Sequence, residues 1–270
     1  MQYNCRLYDY PAGQHVTIYK KTISRKEKDI LESRKKFRET QKNEAAGNET
    51  TENKAEIIKE NAERSEESIE HSKSVSLSRT KNSIYNIARS NEWQWFITLT
   101  FDRNNTDASD YDMITCRLHT FMNNLQKRKC RNMKYIIVPE LHDDKQHYHF
   151  HGLLSGVENL RFCFSGHFDK NDNPVYNILD WKYGFTTATQ VKDSQKASSY
   201  ITKYITKDTD LKLKNKRRYM CSRNIERAKA TYHVIDEEDF LNTYSDRITW
   251  AKNIKVAPAH QSINYYELTY

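Results

Sequence analysis

KYIIVPELHDDKQHYHFHGLL, residues 134–154, is the stretch on which the fold turns. Two runs in it, KYIIVPE (134–140) and HYHFHGLL (147–154), are rich in β-branched and aromatic residues, as strands are. The polar LHDDKQ (141–146) between them is short enough to be a hairpin connection. In a strand successive side chains point to opposite faces, so His147, His149 and His151 would project from one side, with Tyr148 and Phe150 on the other. A two-residue turn at Asp144 and Lys145 would pair Asp143 with Gln146, Leu141 with Tyr148 and Glu140 with His149. Directly opposed residues share a face, which sets Glu140 beside His149 and His151. A slip of one residue would send the carboxylate to the wrong face. Two imidazoles and one carboxylate, with positions left open, suit a divalent ion that must also hold a phosphate oxygen. His147, nearest the turn, is expected to stand in solvent.

Working outward, WQWFITLTF (93–101) and GFTTATQV (184–191) read as two further strands. Helices are expected over 76–90, 107–130 and 194–208. In the second of these Tyr111, Ile114, Leu118, Phe121 and Leu125 keep the i, i+3/i+4 spacing, and QKRK supplies cations at its C-terminal end. Strands interleaved with helices around a hairpin imply an α+β fold, a central antiparallel sheet packed by helices. Residues 20–79 are rich in Glu, Lys, Asn and Ser and nearly free of aromatics, so they form a polar helical or disordered extension. Residues 1–19 hold enough tyrosine and valine for a strand or two, and the aromatic tail 226–270 has no assignment beyond packing on the core.

The chain has 270 residues with 44 Lys and Arg against 36 Asp and Glu, a net charge of +8, which permits a polyanionic partner. Its five cysteines are scattered without a C-x-x-C, arguing against a disulfide framework or a structural zinc site and for a reducing compartment. No run reaches membrane-spanning length and MQYNCRLYDYPAG lacks an apolar core, so a cytoplasmic protein without membrane partners is expected. No glycine is followed by lysine, which excludes a G-x-x-x-x-G-K-[ST] nucleotide loop.

SSYITKYITKD (198–208) carries Tyr200 and Tyr204, each followed three residues later by a lysine, Lys203 and Lys207. On a helix all four lie along one side. Ala197, Tyr200, Ile201, Tyr204 and Ile205 also make an ordinary amphipathic stripe, so packing alone accounts for the spacing. The repeated Tyr-x-x-Lys instead suggests chemistry, because an ammonium beside a phenol lowers its pKa or steadies a phosphate. A tyrosine attacking a phosphodiester beside a metal ion would yield a phosphotyrosine and a free 3′-hydroxyl, conserving the bond energy for religation.

In order, FITLTF (96–101), HFHGLL (149–154) and YITKYITK (200–207) resemble the HUH endonucleases, specifically the two-tyrosine rolling-circle replication initiators of bacterial plasmids and single-stranded-DNA phages. KNKRRYMCSR (214–223) resembles a basic segment that follows this motif in bacterial members. The resemblance covers about residues 80–225 and implies a nickase domain there, related to the RNA-recognition fold, with 1–19, 20–79 and 226–270 outside it. It implies His149 and His151, with Glu140 as third ligand, holding Mg²⁺ or Mn²⁺. Tyr200 and Tyr204 become nucleophiles, Lys203 and Lys207 their electrostatic partners, and Lys214, Lys216, Arg217 and Arg218 DNA contacts. The implied partners are single-stranded or hairpin origin DNA and a host helicase and polymerase, in the cytoplasm of a bacterial host. His147 departs from an isolated H-x-H, and the long polar insert departs from the core family. A relaxase would place its tyrosine before the histidines; a transposase shares the chemistry. A non-catalytic single-stranded nucleic-acid-binding protein would need neither metal nor tyrosine, and a water-using hydrolase would need the metal alone.

Overall fold

The computed structural model describes residues 1–24, 74–205, 213, 216–256 and 261–270. The fold is α+β, with two antiparallel sheets and, among the described residues, four α-helices. In chain order the elements are β1 (Gln2–Tyr10), β2 (Gly13–Ser24), α1 (residues 74–89), β3 (Trp95–Phe101), α2 (Tyr111–Arg128), β4 (Lys134–Leu141) and β5 (Tyr148–Ser155). There follow β6 (Phe162–Phe168), β7 (Pro174–Ile178), β8 (Gly184–Gln190), α3 (Ser194–Ile201) and a 3₁₀ turn (Thr202–Tyr204). The last are β9 (Met220–Cys221), β10 (Ala230–His233), α4 (Glu237–Tyr244), β11 (Ile248–Val256) and β12 (Gln261–Leu268).

The chain divides into two compact units. One takes in Tyr10–Ala12 and Ser76–Ala228 and holds the seven-stranded sheet, ordered β6-β7-β8-β3-β5-β4-β9. Both faces of this sheet are covered, which explains why β4 reads as an unbroken apolar run. On one face α2 buries Ile114, Leu118, Phe121, Met122 and Leu125 in a cluster with Ile97, Leu99, Tyr135, Ile137, Phe150 and Leu154. On the other, Ile84 and Ile87 of α1 and Ile201 and Ile205 pack with Ile136, Val138 and Leu153. The alternation of Tyr135/Ile137 with Ile136/Val138 along β4 is the two-residue period of a strand sorted between two cores. Helix α2 starts where Asp110 accepts from the N–H groups of Asp112 and Met113, satisfying two donors that its first turn leaves open.

The other unit takes in Met1–Asp9, Lys229–Tyr270 and the described part of Gly13–Val75. Its five-stranded sheet runs β10-β1-β2-β12-β11, with Cys5, Val16, Ile18, Phe240, Tyr266 and Leu268 as its core. The two chain ends left unassigned above are therefore strands of one sheet. β2 extends to Ser24 and α1 is helical from residue 74, while residues 25–73 lie outside the described residues. The cysteines are free. Among the described residues no helix is long and apolar enough to cross a membrane.

Candidate metal centre and its tyrosines

The hairpin register is the one read from the sequence. Glu140 opposes His149 and Leu141 opposes Tyr148 in the β4–β5 ladder. The connection is wider than a two-residue turn: the Lys145 N–H donates to the His142 carbonyl, and the His142 N–H to the His147 carbonyl, both at 2.8 Å. Lys145 takes φ of 54° to close it. Asp144 accepts from the backbone N–H groups of Gln146 and His147 and pairs with the His147 ring at 2.8 Å. That contact, with Arg103 on the same carboxylate, turns His147 away from its two neighbours on the strand.

Glu140, His149 and His151 converge. Nε2 of each histidine lies 2.7 Å from Glu140 Oε2, and the two nitrogens are 3.1 Å apart. Three ligand atoms sharing one face of an octahedron at about 2.1 Å from the ion are separated by about 3.0 Å. The spacing therefore already suits a divalent ion, and these three residues could hold one. The protonation states suit it too. Burial pushes the Glu140 carboxyl up, but hydrogen bonds from His149 and His151 outweigh it and bring it to about 2, so it is ionised. Burial lowers the His151 pKa against the pull of the Glu140 hydrogen bond, which favours the neutral ring that a metal needs.

Two residues not singled out from the sequence support the triad. Thr98 on β3 opposes His151, and its hydroxyl lies 3.0 Å from His151 Nδ1. When Nε2 turns its lone pair to an ion, Nδ1 carries the proton and donates it to this hydroxyl. His142 packs its ring 4.5 Å from that of His149. The row of opposed residues also continues across the sheet: Glu140 pairs with His149, His149 with Thr100, and Thr100 with Phe185 of β8. Phe185 is thus on the metal face, and it is 72% exposed. Gly184 before it has φ of 152°, where a Cβ would collide with the backbone of Thr100 and Asp102, so only glycine can start β8 there.

Both tyrosines arrive beside the triad. Helix α3, capped by Asp193, ends at Ile201 and tightens into the 3₁₀ turn, so the helix expected over 194–208 is α-helical only in its first half. Hydroxyls of Ser198, Ser199 and Thr202 bond carbonyls one turn back and compete with the regular ladder. The Tyr204 ring stacks on His151 with centroids 3.6 Å apart, and Tyr200 meets Tyr204 edge-on at 5.3 Å. Phe96 touches both. Tyr200 is 46% exposed, and Lys203 Nζ lies 5.5 Å from its ring centroid. Burial, followed by the Tyr200 hydrogen bond and the charges of Tyr200 and Glu140, pushes the Tyr204 phenol well above its usual value.

Residues 94–209 match the family model for the replication-associated protein ORF2. The matched span opens at the edge of β3 and closes just past the 3₁₀ turn, so it contains the triad and both tyrosines. It supports a replication-associated protein of the initiator type, and hence an interaction with DNA. No curated protein and no solved structure gives a significant match.

Of the basic residues expected on DNA, Lys216 is bonded to Asp112 at 2.5 Å. Arg218 reaches Ser76 and Thr80 of α1, and Arg217 lines a cleft away from the triad. Lys207 and Lys214 lie outside the described residues.

Proposed function

We propose that this chain is an origin-nicking replication initiator of the two-tyrosine type, which cuts one DNA strand and later rejoins strands. The observation that carries the reading is the stack of Tyr204 on His151, with Tyr200 at its edge, which brings two phenols to one two-histidine, one-carboxylate cluster. Packing alone would account for a tyrosine stripe, but not for its meeting these donors.

In this reading Tyr200 cuts first, because it is the more exposed and has Lys203 over its ring. Its oxygen attacks phosphorus as its proton passes to water. The P–O3′ bond breaks, the 3′ oxygen takes up a proton, and the 5′ phosphate stays on the tyrosine. Tyr204 is held in reserve, its phenol kept protonated by burial and by its neighbours, until a second strand arrives. A bound divalent ion would polarise the scissile phosphate and offset its charge. Glu140, His149 and His151 would hold that ion. The two imidazoles favour Mn²⁺ over Mg²⁺, which prefers oxygen donors. The exposed Phe185 on the same face offers a base a stacking surface.

Covalent trapping tests the reading. Protein incubated with labelled single-stranded DNA from its own replicon and Mn²⁺ is expected to give a shifted band on a denaturing gel. The band should vanish in EDTA and in the Tyr200→Phe/Tyr204→Phe double variant, with Tyr200→Phe alone giving the larger single loss on first cleavage. Cleavage without an adduct would transfer the chemistry to water; binding with neither cleavage nor adduct would leave a binding protein.

A further inference from the structure

The seven-stranded unit has a second feature that the nicking site does not use. Between α2 and the β9 edge lies a cleft of about 1080 Å³. Lys127, Arg131, Arg217, Arg218, Arg223 and Arg227 line it, and no carboxylate does. Tyr135, also in its wall, belongs to the α2 core, whereas Glu140 shares its side of β4 with Ile136 and Val138 of the α1 core. The cleft therefore opens on the sheet face opposite the triad. Five residues of strand separate Tyr135 from Glu140, about 17 Å along β4.

These cations are available. Lys127, Arg131, Arg217 and Arg223 are exposed, and among the described residues none of them is paired with a carboxylate. Nearby Lys134 is, to Glu226, but it does not line the cleft. Such a density of unpaired cations without a counter-charge raises the local potential and calls for a polyanion. Base-stacking surface is the contrast between the two faces. Phe185 and Tyr200 stand exposed on the triad face, while the aromatic residues in the cleft, Tyr135 and Tyr219, are buried or half-buried. Sites for single strands use exposed aromatic rings; sites that read only phosphates do not need them.

We propose that this cleft docks duplex DNA by its phosphodiester backbone, independently of base sequence, while the single strand to be cut lies on the opposite face. This rests on the DNA reading above and adds to it a second contact, through which a duplex flanking the cut would anchor the protein.

The test is the triple variant Lys127→Gln/Arg131→Gln/Arg223→Gln, made from exposed side chains outside the nicking machinery, with its melting temperature checked against the wild type. Binding of a fully duplex oligonucleotide is followed by fluorescence anisotropy from 50 to 300 mM salt. Affinity at 100 mM salt is expected to fall at least tenfold. The slope of log K against log salt should drop by about 2 to 3, near 0.9 for each lost phosphate contact. Mn²⁺-dependent trapping of a short single-stranded oligonucleotide should keep its rate. Unchanged duplex affinity and slope would overturn the proposal, and so would an equal loss on single-stranded DNA. A duplex defect in a protein whose wild type traps no DNA would support the cleft and sink the nicking reading instead.

Discussion

Replacing Thr98 by valine isolates one atom of the metal centre. The two side chains have the same shape, and valine is at least as suited to a strand as threonine, so the fold should tolerate the change. What disappears is the hydroxyl 3.0 Å from His151 Nδ1. Among the described residues no other polar atom bonds that nitrogen, and His151 is 6% exposed, so water cannot readily replace it. In the metal-bound state the Nδ1 proton would then be buried without an acceptor. Loss of an outer partner of a ligating histidine typically weakens metal binding 10- to 100-fold, or about 1.4 to 2.7 kcal/mol. The burial of His151 places the expectation near the middle of that range, about 30-fold.

Titration calorimetry with Mn²⁺ reads this directly, and thermal unfolding reads it independently. At a Mn²⁺ concentration 100 times the wild-type Kd, the wild type should gain about 2.7 kcal/mol of stability. A variant binding 30-fold more weakly should gain about 0.9 kcal/mol under the same conditions. Without metal the two proteins should melt within a degree or two of one another. Equal Mn²⁺ affinity in both would refute the claim that Thr98 sets the tautomer of a ligating His151. A large difference in metal-free stability would show that Thr98 acts through the fold instead.

Phe185→Ala should weaken binding of single-stranded DNA about 5- to 150-fold, the worth of one stacked base, with Phe185→Trp restoring it. Because the ring is 72% exposed, stability should be unchanged, and unaltered affinity in the alanine variant would remove Phe185 from the binding face. Asp180 carries the pH dependence. Burial pushes its carboxyl up, but Lys129 at 2.5 Å and Arg161 at 3.1 Å, with the Arg161 N–H, overcome this and hold it at about 2. A depressed carboxylate stabilises the fold fully above its unfolded pKa, about 3.9, and loses that contribution as pH falls through its folded value. Asp180→Asn should therefore cost about 1 to 2 kcal/mol in urea unfolding from pH 7 to 5, allowing for its partly exposed partners, with the penalty shrinking below pH 4. A penalty that stays constant to pH 3 would show that shape, not charge, is what Asp180 contributes.

The parts of this protein that could be read from its sequence are those whose partners lie close along the chain. Glu140 and His149 are nine residues apart with a short polar turn between them, so strand alternation alone decides that they share a face. The buried stripe of α2, from Tyr111 to Leu125, follows from the helical period in the same way. The length of α3 was less legible, because Ser and Thr hydroxyls compete with its backbone ladder in a manner that periodicity does not register. The tertiary structure decided everything that depends on distant partners. Strand β3 lies between β5 and β8, which aligns Thr98 with His151 and Phe185 with the triad, and no local pattern orders three strands. Tyr204 reaches His151 across 53 residues only because Ile201 and Ile205 dock on the α1 face of the sheet. The pairing of Cys5 with His233 and the gathering of Lys127, Arg131 and Arg223 into one cleft are likewise set by global packing. Short-range geometry is written in the spacing of residues; long-range geometry is chosen by which faces must be buried together, and a charge or ring that ends on the surface leaves no periodic trace of where it will stand.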